Sequence, residues 1–115
     1  MYYQLFNDNI EYDLINIEHL EKLDKNNIST LDISNAKLSN LPKLPKNLTY
    51  LNFSHNNLTQ MPKMSDLPKK LDYLNCSYNK LTKLPNLTKL PNLNYLDCNH
   101  NKIKKLPDLT KLIYL

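Results

Sequence analysis

The sequence predicts a right-handed solenoid of short coils, stacked so that their strands form one parallel, concave β-sheet. Three observations predict it. Four segments repeat one pattern in register. Within each segment apolar residues alternate with polar ones. The stretches between the segments carry Leu and Pro at recurring places.

The first segment reads Ile28-Ser-Thr-Leu31-Asp-Ile33-Ser-Asn-Ala36-Lys-Leu38, and the second Leu48-Thr-Tyr-Leu51-Asn-Phe53-Ser-His-Asn56-Asn-Leu58. The third is Leu71-Asp-Tyr-Leu74-Asn-Cys76-Ser-Tyr-Asn79-Lys-Leu81, and the fourth Leu93-Asn-Tyr-Leu96-Asp-Cys98-Asn-His-Asn101-Lys-Ile103. Starts near 28, 48, 71 and 93 place four repeats in residues 28–111. Leu51 and Phe53 alternate with Tyr50, Asn52 and Ser54, a period of two that marks a strand with one apolar face. A lone strand cannot bury that face, but neighbours stacked about 4.8 Å apart can. The inward columns are then Leu31/Leu51/Leu74/Leu96 and Ile33/Phe53/Cys76/Cys98. Leu38/Leu58/Leu81/Ile103 and Leu41/Met61/Leu84/Leu106 close the core.

The pattern L-x-x-L-x-L-x-x-N-x-L resembles the leucine-rich repeat family. The connectors, such as Leu38-Ser-Asn-Leu41-Pro42 and Leu81-Thr-Lys-Leu84-Pro85, resemble the short repeats of bacterial effector proteins. That resemblance implies an extended or 3-10 convex side. Proline suits it, because it fixes φ and removes a backbone donor that no neighbour would accept. The resemblance also implies that Asn56, Asn79 and Asn101 turn inward as a ladder bonded to the backbone of adjacent coils. An amide has the donors and the acceptor for that task. Ala36 holds the place in the first repeat, so the ladder begins at Asn56. Asn also tolerates positive φ better than other residues with a Cβ. In a chain with no Gly, Asn57, Asn86 and Asn99 are the candidates for that conformation.

Residues 1–27 differ in kind. They carry two Lys against six acids, whereas residues 28–115 carry 13 Lys against five Asp. Residues 1–27 read as an N-terminal cap or a degenerate repeat. Two forms stay open: a zeroth repeat with Ile10-Glu11-Tyr12 as its strand, or a helix over 14–24. At the other end, residues 112–115 begin an incomplete repeat. An uncapped coil exposes apolar side chains and an open edge. The expectation is that this end frays beyond about Lys105 or self-associates end to end. A fragment, a decayed gene and half of an oligomer all remain open.

Composition narrows the function. At 41% hydrophobic and 23% charged, the chain is globular rather than disordered. The absence of Gly excludes Gly-dependent phosphate loops, dinucleotide fingerprints and nucleophile elbows. The absence of Arg removes bidentate recognition of phosphate or guanine. Asn, Lys, Ile and Tyr supply 48 residues, which points to an AT-rich genome and cautions against reading purpose into every Lys. No segment reaches the roughly 20 apolar residues of a membrane span. The N-terminus has no basic start and no apolar stretch of signal-peptide length. Cytoplasm or nucleus is the expected compartment, or the host-cell cytoplasm for a pathogen protein.

Catalytic and metal sites are not expected. Cys76 and Cys98 share an inward column and read as small buried hydrophobes, while His55 and His100 point outward, away from them. Asp32 and Asp97, three strands apart, are separated by roughly 14 Å, beyond the reach of a paired-carboxylate site. No cofactor is implied. The outward columns hold the candidate partner-binding face: Tyr50, Tyr73 and Tyr95, then Asn52, Asn75 and Asp97, with His55, Tyr78 and His100 at the rim. Tyrosine is enriched at interfaces because it buries area at low entropic cost. The reading is a non-catalytic module that binds a protein or peptide. The alternatives are a Lys-rich scaffold for nucleic acid or another anionic surface, with nucleic acid the less favoured partner, and a structural fragment.

Overall fold

A computed structural model describes residues 28–105 and, for two N-terminal strands, the backbone of residues 2–7 and 11–16. Among the described residues the strands are β1 (Tyr2–Asn7), β2 (Glu11–Asn16), β3 (Ile28–Asp32), β4 (Tyr50–Asn52), β5 (Tyr73–Asn75) and β6 (Tyr95–Asp97). They form one sheet in the order β2-β1-β3-β4-β5-β6.

The four repeat strands run parallel. Thr30, Tyr50, Tyr73 and Tyr95 pair across the sheet, as do Leu31, Leu51, Leu74 and Leu96. The ladder outlasts the strands. Ile33, Phe53 and Cys76 donate their N–H groups to Asn52, Asn75 and Asp97 of the next coil, and Asn35, His55 and Tyr78 donate to Ser54, Ser77 and Asn99. Past the turn the sense reverses: Asn57, Lys80 and Lys102 donate back to Leu38, Leu58 and Leu81, each at 2.8 Å. The two sets hold neighbouring coils in one register on both sides of the turn.

The expected inward columns form the core. Leu31, Ile33, Leu51, Phe53, Leu74, Cys76 and Leu81 are fully buried. Ile28, Leu48, Leu71 and Leu93, which open each repeat, add a further buried column. The connectors contribute Leu67, Leu84, Leu87 and Leu90. Instead of α-helix they contain 3-10 turns at Met64–Asp66 and Leu87–Lys89. Pro42, Pro62 and Pro85 lie outside helix and strand, where a missing N–H costs no ladder bond.

The asparagine column provides the crosslinks between coils. The Asn56 side-chain oxygen accepts from the N–H groups of Ala36 and Leu38, and its amide donates to Ile33, Phe53 and Ser54. Asn79 accepts from Leu58 and donates to Phe53, Cys76 and Ser77. Asn101 accepts from Leu81 and donates to Cys76, Cys98 and Asn99. Each reaches back one coil. Ala36 needs no such side chain, because the strand preceding β3 in the sheet is β1, which is antiparallel.

Two expectations need correction. Neither the zeroth-repeat strand nor the helix describes residues 2–7 and 11–16, whose strands form an antiparallel pair, with β1 beside β3 and β2 outermost. Glu11 and Tyr12 open β2, so Ile10-Glu11-Tyr12 is not a repeat strand beside β3. Residues 14–16 close β2 rather than start a helix. The aromatic and branched residues Tyr2, Tyr3, Phe6, Tyr12 and Ile15 favour strand, and an antiparallel pair needs only a short connection. The rest of the 14–24 span, and the incomplete coil at 106–115 with its expected self-association, lie outside the described residues. The second correction concerns backbone sign. Positive φ falls on Asn35, Lys37, His55, Tyr78 and His100, not on Asn57, Asn86 or Asn99. Asn86 has φ −71° and caps the 3-10 turn, accepting from the Thr88 N–H and hydroxyl. In all four coils a left-handed residue stands immediately before the ladder position, where the chain must swing the next side chain inward, and in the first coil Lys37, just after it, is left-handed as well.

Replacing Asn79 with Ala strands buried groups of two coils, and each unmet group costs about 1–3 kcal/mol. Denaturant unfolding of Asn79→Ala is expected to show a loss at least that large. Lys37→Gly relieves a left-handed Cβ that costs about 1–2 kcal/mol, against a smaller entropic penalty for Gly. Its thermal midpoint is expected to rise.

Candidate functional site

The nine expected face residues lie on three consecutive coils of one sheet, in three columns. The first is a stack of rings. Tyr50 and Tyr73 lie 4.1 Å apart between centroids at 8°, and Tyr73 and Tyr95 lie 4.3 Å apart at 3°. In-register parallel pairing places identical side chains one strand spacing apart, so the rings have little choice but to stack. Both faces of Tyr73 are covered by its neighbours, while Tyr95 at the end of the row stays 42% exposed. Burial, then proximity to Tyr73, push the Tyr50 phenol up to about 12. The neighbouring Tyr73, ahead of partial burial, raises Tyr95 as well.

The second column has a structural task that the sequence reading missed. Oδ1 of Asp32, Asn52, Asn75 and Asp97 accepts from the N–H two residues on, at Ser34, Ser54, Ser77 and Asn99, each at 3.0 Å. Ser34 and Ser77 add their hydroxyls to the same oxygens. These Asx turns end each strand. Ser54 and Ser77 are buried rather than outward-facing. The repeated Asp/Asn-x-Ser spacing was the available signal, since Asx side chains favour bonds to backbone two residues ahead. Asn52, Asn75 and Asp97 therefore offer a partner only what this turn leaves free.

The third column is the rim. His55 stacks on Tyr78 at 4.2 Å, and Tyr78 on His100 at 4.1 Å. All three are left-handed and exposed, Tyr78 by 46%. A left-handed Tyr is uncommon because its Cβ crowds the carbonyl. Here the ladder bonds from the His55 and Tyr78 N–H groups and the ring stacking hold it.

Elsewhere the chemistry is quiet. Cys76 and Cys98 are free thiols, one buried and one half-buried. Burial pushes Cys76 up to about 12 and raises Cys98, so both stay protonated and poorly nucleophilic at neutral pH. Among the described residues no three His, Cys, Asp or Glu cluster as metal ligands, and no helix is long and apolar enough to cross a membrane. A concavity lies between connectors, lined by Leu41, Leu44, Met61, Lys43, Lys46 and Lys69. It contains none of the expected face residues.

The raised Tyr50 phenol makes stability pH-dependent. Its folded pKa lies above the unfolded value of 10.0, so its contribution is full below about pH 10 and is lost as pH climbs to about 12. Denaturation midpoints are expected to fall over that window, and to fall less in Tyr50→Phe. An equal fall in both proteins would refute this assignment.

Residues 69–111 match the family model for two copies of leucine-rich repeats, and residues 47–67 match that for a single leucine-rich repeat. No curated protein matches the chain. The matches begin after the first repeat, the one with Ala36 in the ladder position. They span more than half of the chain and coincide with the stacked coils and the asparagine crosslinks, so this chain belongs to the leucine-rich repeat family.

Proposed function

We propose that this chain is a non-catalytic module that binds a protein or peptide on the exposed face of its parallel sheet. Leucine-rich repeat domains generally mediate protein binding. The observation that carries the proposal is the Tyr50–Tyr73–Tyr95 stack, with centroids 4.1–4.3 Å apart. It presents a rigid row of ring edges and hydroxyls whose ordering is complete before any partner arrives. Rigid aromatic rows suit hot spots because little side-chain entropy is left to lose on binding. The row runs across three coils, which favours a macromolecule over a small ligand, for which an enclosed apolar pocket is the rule.

The test is affinity capture from the source cell with wild type, Tyr73→Ala/Tyr95→Ala, and a control changed at the connectors, Lys43→Gln/Lys46→Gln. A partner retained by wild type and the control but lost by the tyrosine variant supports the sheet face. Capture that survives the tyrosine changes and fails with the control moves the site to the connectors.

A further inference from the structure

The inward turn of the ladder residue leaves its two neighbours on the outside. On one side stand Asn35, His55, Tyr78 and His100; on the other stand Lys37, Asn57, Lys80 and Lys102, all exposed. The backbone bonds from Asn57, Lys80 and Lys102 to the preceding coils hold the second column in register with the first. The four turns, 33–38, 53–58, 76–81 and 98–103, contain three Lys and two His and no acid. Every polar side chain flanking the ladder has a hydrogen to donate: ammonium, imidazole, phenol or amide. Asp32 and Asp97 are the carboxylates nearest in sequence, and each has an oxygen tied into an Asx turn.

We infer that this turn edge binds an acidic peptide segment laid across the coils, with carboxylates on Lys37, Lys80 and Lys102 and on the donor edges of His55, Tyr78 and His100. The inference rests on the sheet-face reading and extends that surface by one column. From Lys37 to Lys102 is three strand spacings, roughly 14 Å, the span of about four or five extended residues. Single-stranded nucleic acid fits the same charge but not the same rings. Such strands bind by stacking bases on open aromatic faces. Both faces of Tyr78 are already covered, at 4.2 and 4.1 Å. The chain also has no Arg to fork a phosphate. Carboxylates need donors and charge rather than ring faces, and these are what the edge presents.

The experiment is fluorescence anisotropy with a labelled peptide of alternating Glu and Ser, its Gln-Ser counterpart, and a short oligothymidylate. The proteins are wild type, a turn-edge variant (Lys37→Asn/Lys80→Gln/Lys102→Gln), and a connector variant (Lys43→Gln/Lys46→Gln/Lys69→Gln). Asn is used at 37 because φ there is 55°. Unchanged circular dichroism and thermal midpoints show that each variant folds. The acidic peptide is expected to bind more tightly than both other probes. The turn-edge variant should weaken it by about fivefold to tenfold, as three exposed ion pairs would, and the connector variant by less than twofold. Binding should also weaken between about 50 and 200 mM salt. Equal weakening by both variants, equal affinity for the Gln-Ser peptide, tighter oligothymidylate binding, or no acidic-peptide binding each overturns the inference. If the turn-edge variant loses nothing while Tyr73→Ala/Tyr95→Ala abolishes capture, the sheet-face reading stands and this one falls. If the tyrosine variant keeps its capture, the sheet-face reading is the one that falls.

Discussion

Backbone that leaves a parallel sheet and turns through a core carries N–H and C=O groups that no strand can reach, and buried groups of that kind must find partners. In this chain three asparagine side chains meet the need. Asn56, Asn79 and Asn101 each accept from the preceding coil and donate both to that coil and to their own turn. Two amide hydrogens are shared among three carbonyls, so small displacements of a coil lengthen several bonds together. This makes coil stacking a fixed distance rather than a loose preference. The leucine columns supply the bulk of the stabilisation, but apolar contact is non-directional and would tolerate slippage between coils. The amides set the register.

Register then dictates the surface. Once coils are locked one strand spacing apart, each outward position becomes a column of like residues at that pitch. Tyrosines fall on tyrosines, and His55, Tyr78 and His100 fall on one another. The same geometry explains why bulky residues tolerate left-handed backbone here. The position before the ladder residue must swing the next side chain inward, and in a chain without Gly some residue with a Cβ must take that conformation. His and Tyr take it with ring faces covered and, at 55 and 78, the N–H bonded to the next coil. Strain at the turn and order at the rim thus have a common origin.

What the sequence disclosed follows from periodicity. The strand positions, the inward columns and the ladder places all recur at about twenty-residue intervals, and four copies distinguish a rule from an accident. The features that stayed hidden do not depend on hydrophobic pattern. The residue class at the left-handed site is Asn, His, Tyr, His, which has no shared propensity, so attention to Asn alone chose the wrong positions. The Asx turns were hidden because strict alternation assigned the residue next after Phe53 or Cys76 to solvent, whereas the strand has already ended and Ser54 and Ser77 turn under. The antiparallel pairing of β1 lies outside the repeat altogether, and no recurrence announces a segment that occurs once.

The same physics bears on the proposed binding role. Catalysis asks for unlike groups brought within hydrogen-bond reach and for pKa values tuned to exchange protons near neutrality. A ladder of in-register coils does the opposite. It multiplies like groups at a fixed pitch, commits the carboxylates and amides of Asp32, Asn52, Asn75 and Asp97 to their own turns, and raises the thiols of Cys76 and Cys98 away from the neutral range by burial. What remains exposed is aromatic edge, hydroxyl and ammonium, held still by stacking. The positions of those groups are set to within the tolerance of the core beneath them. On the proposed reading a partner gains from such a surface by matching its pitch, and the specificity of the match is inherited from the asparagines that set it.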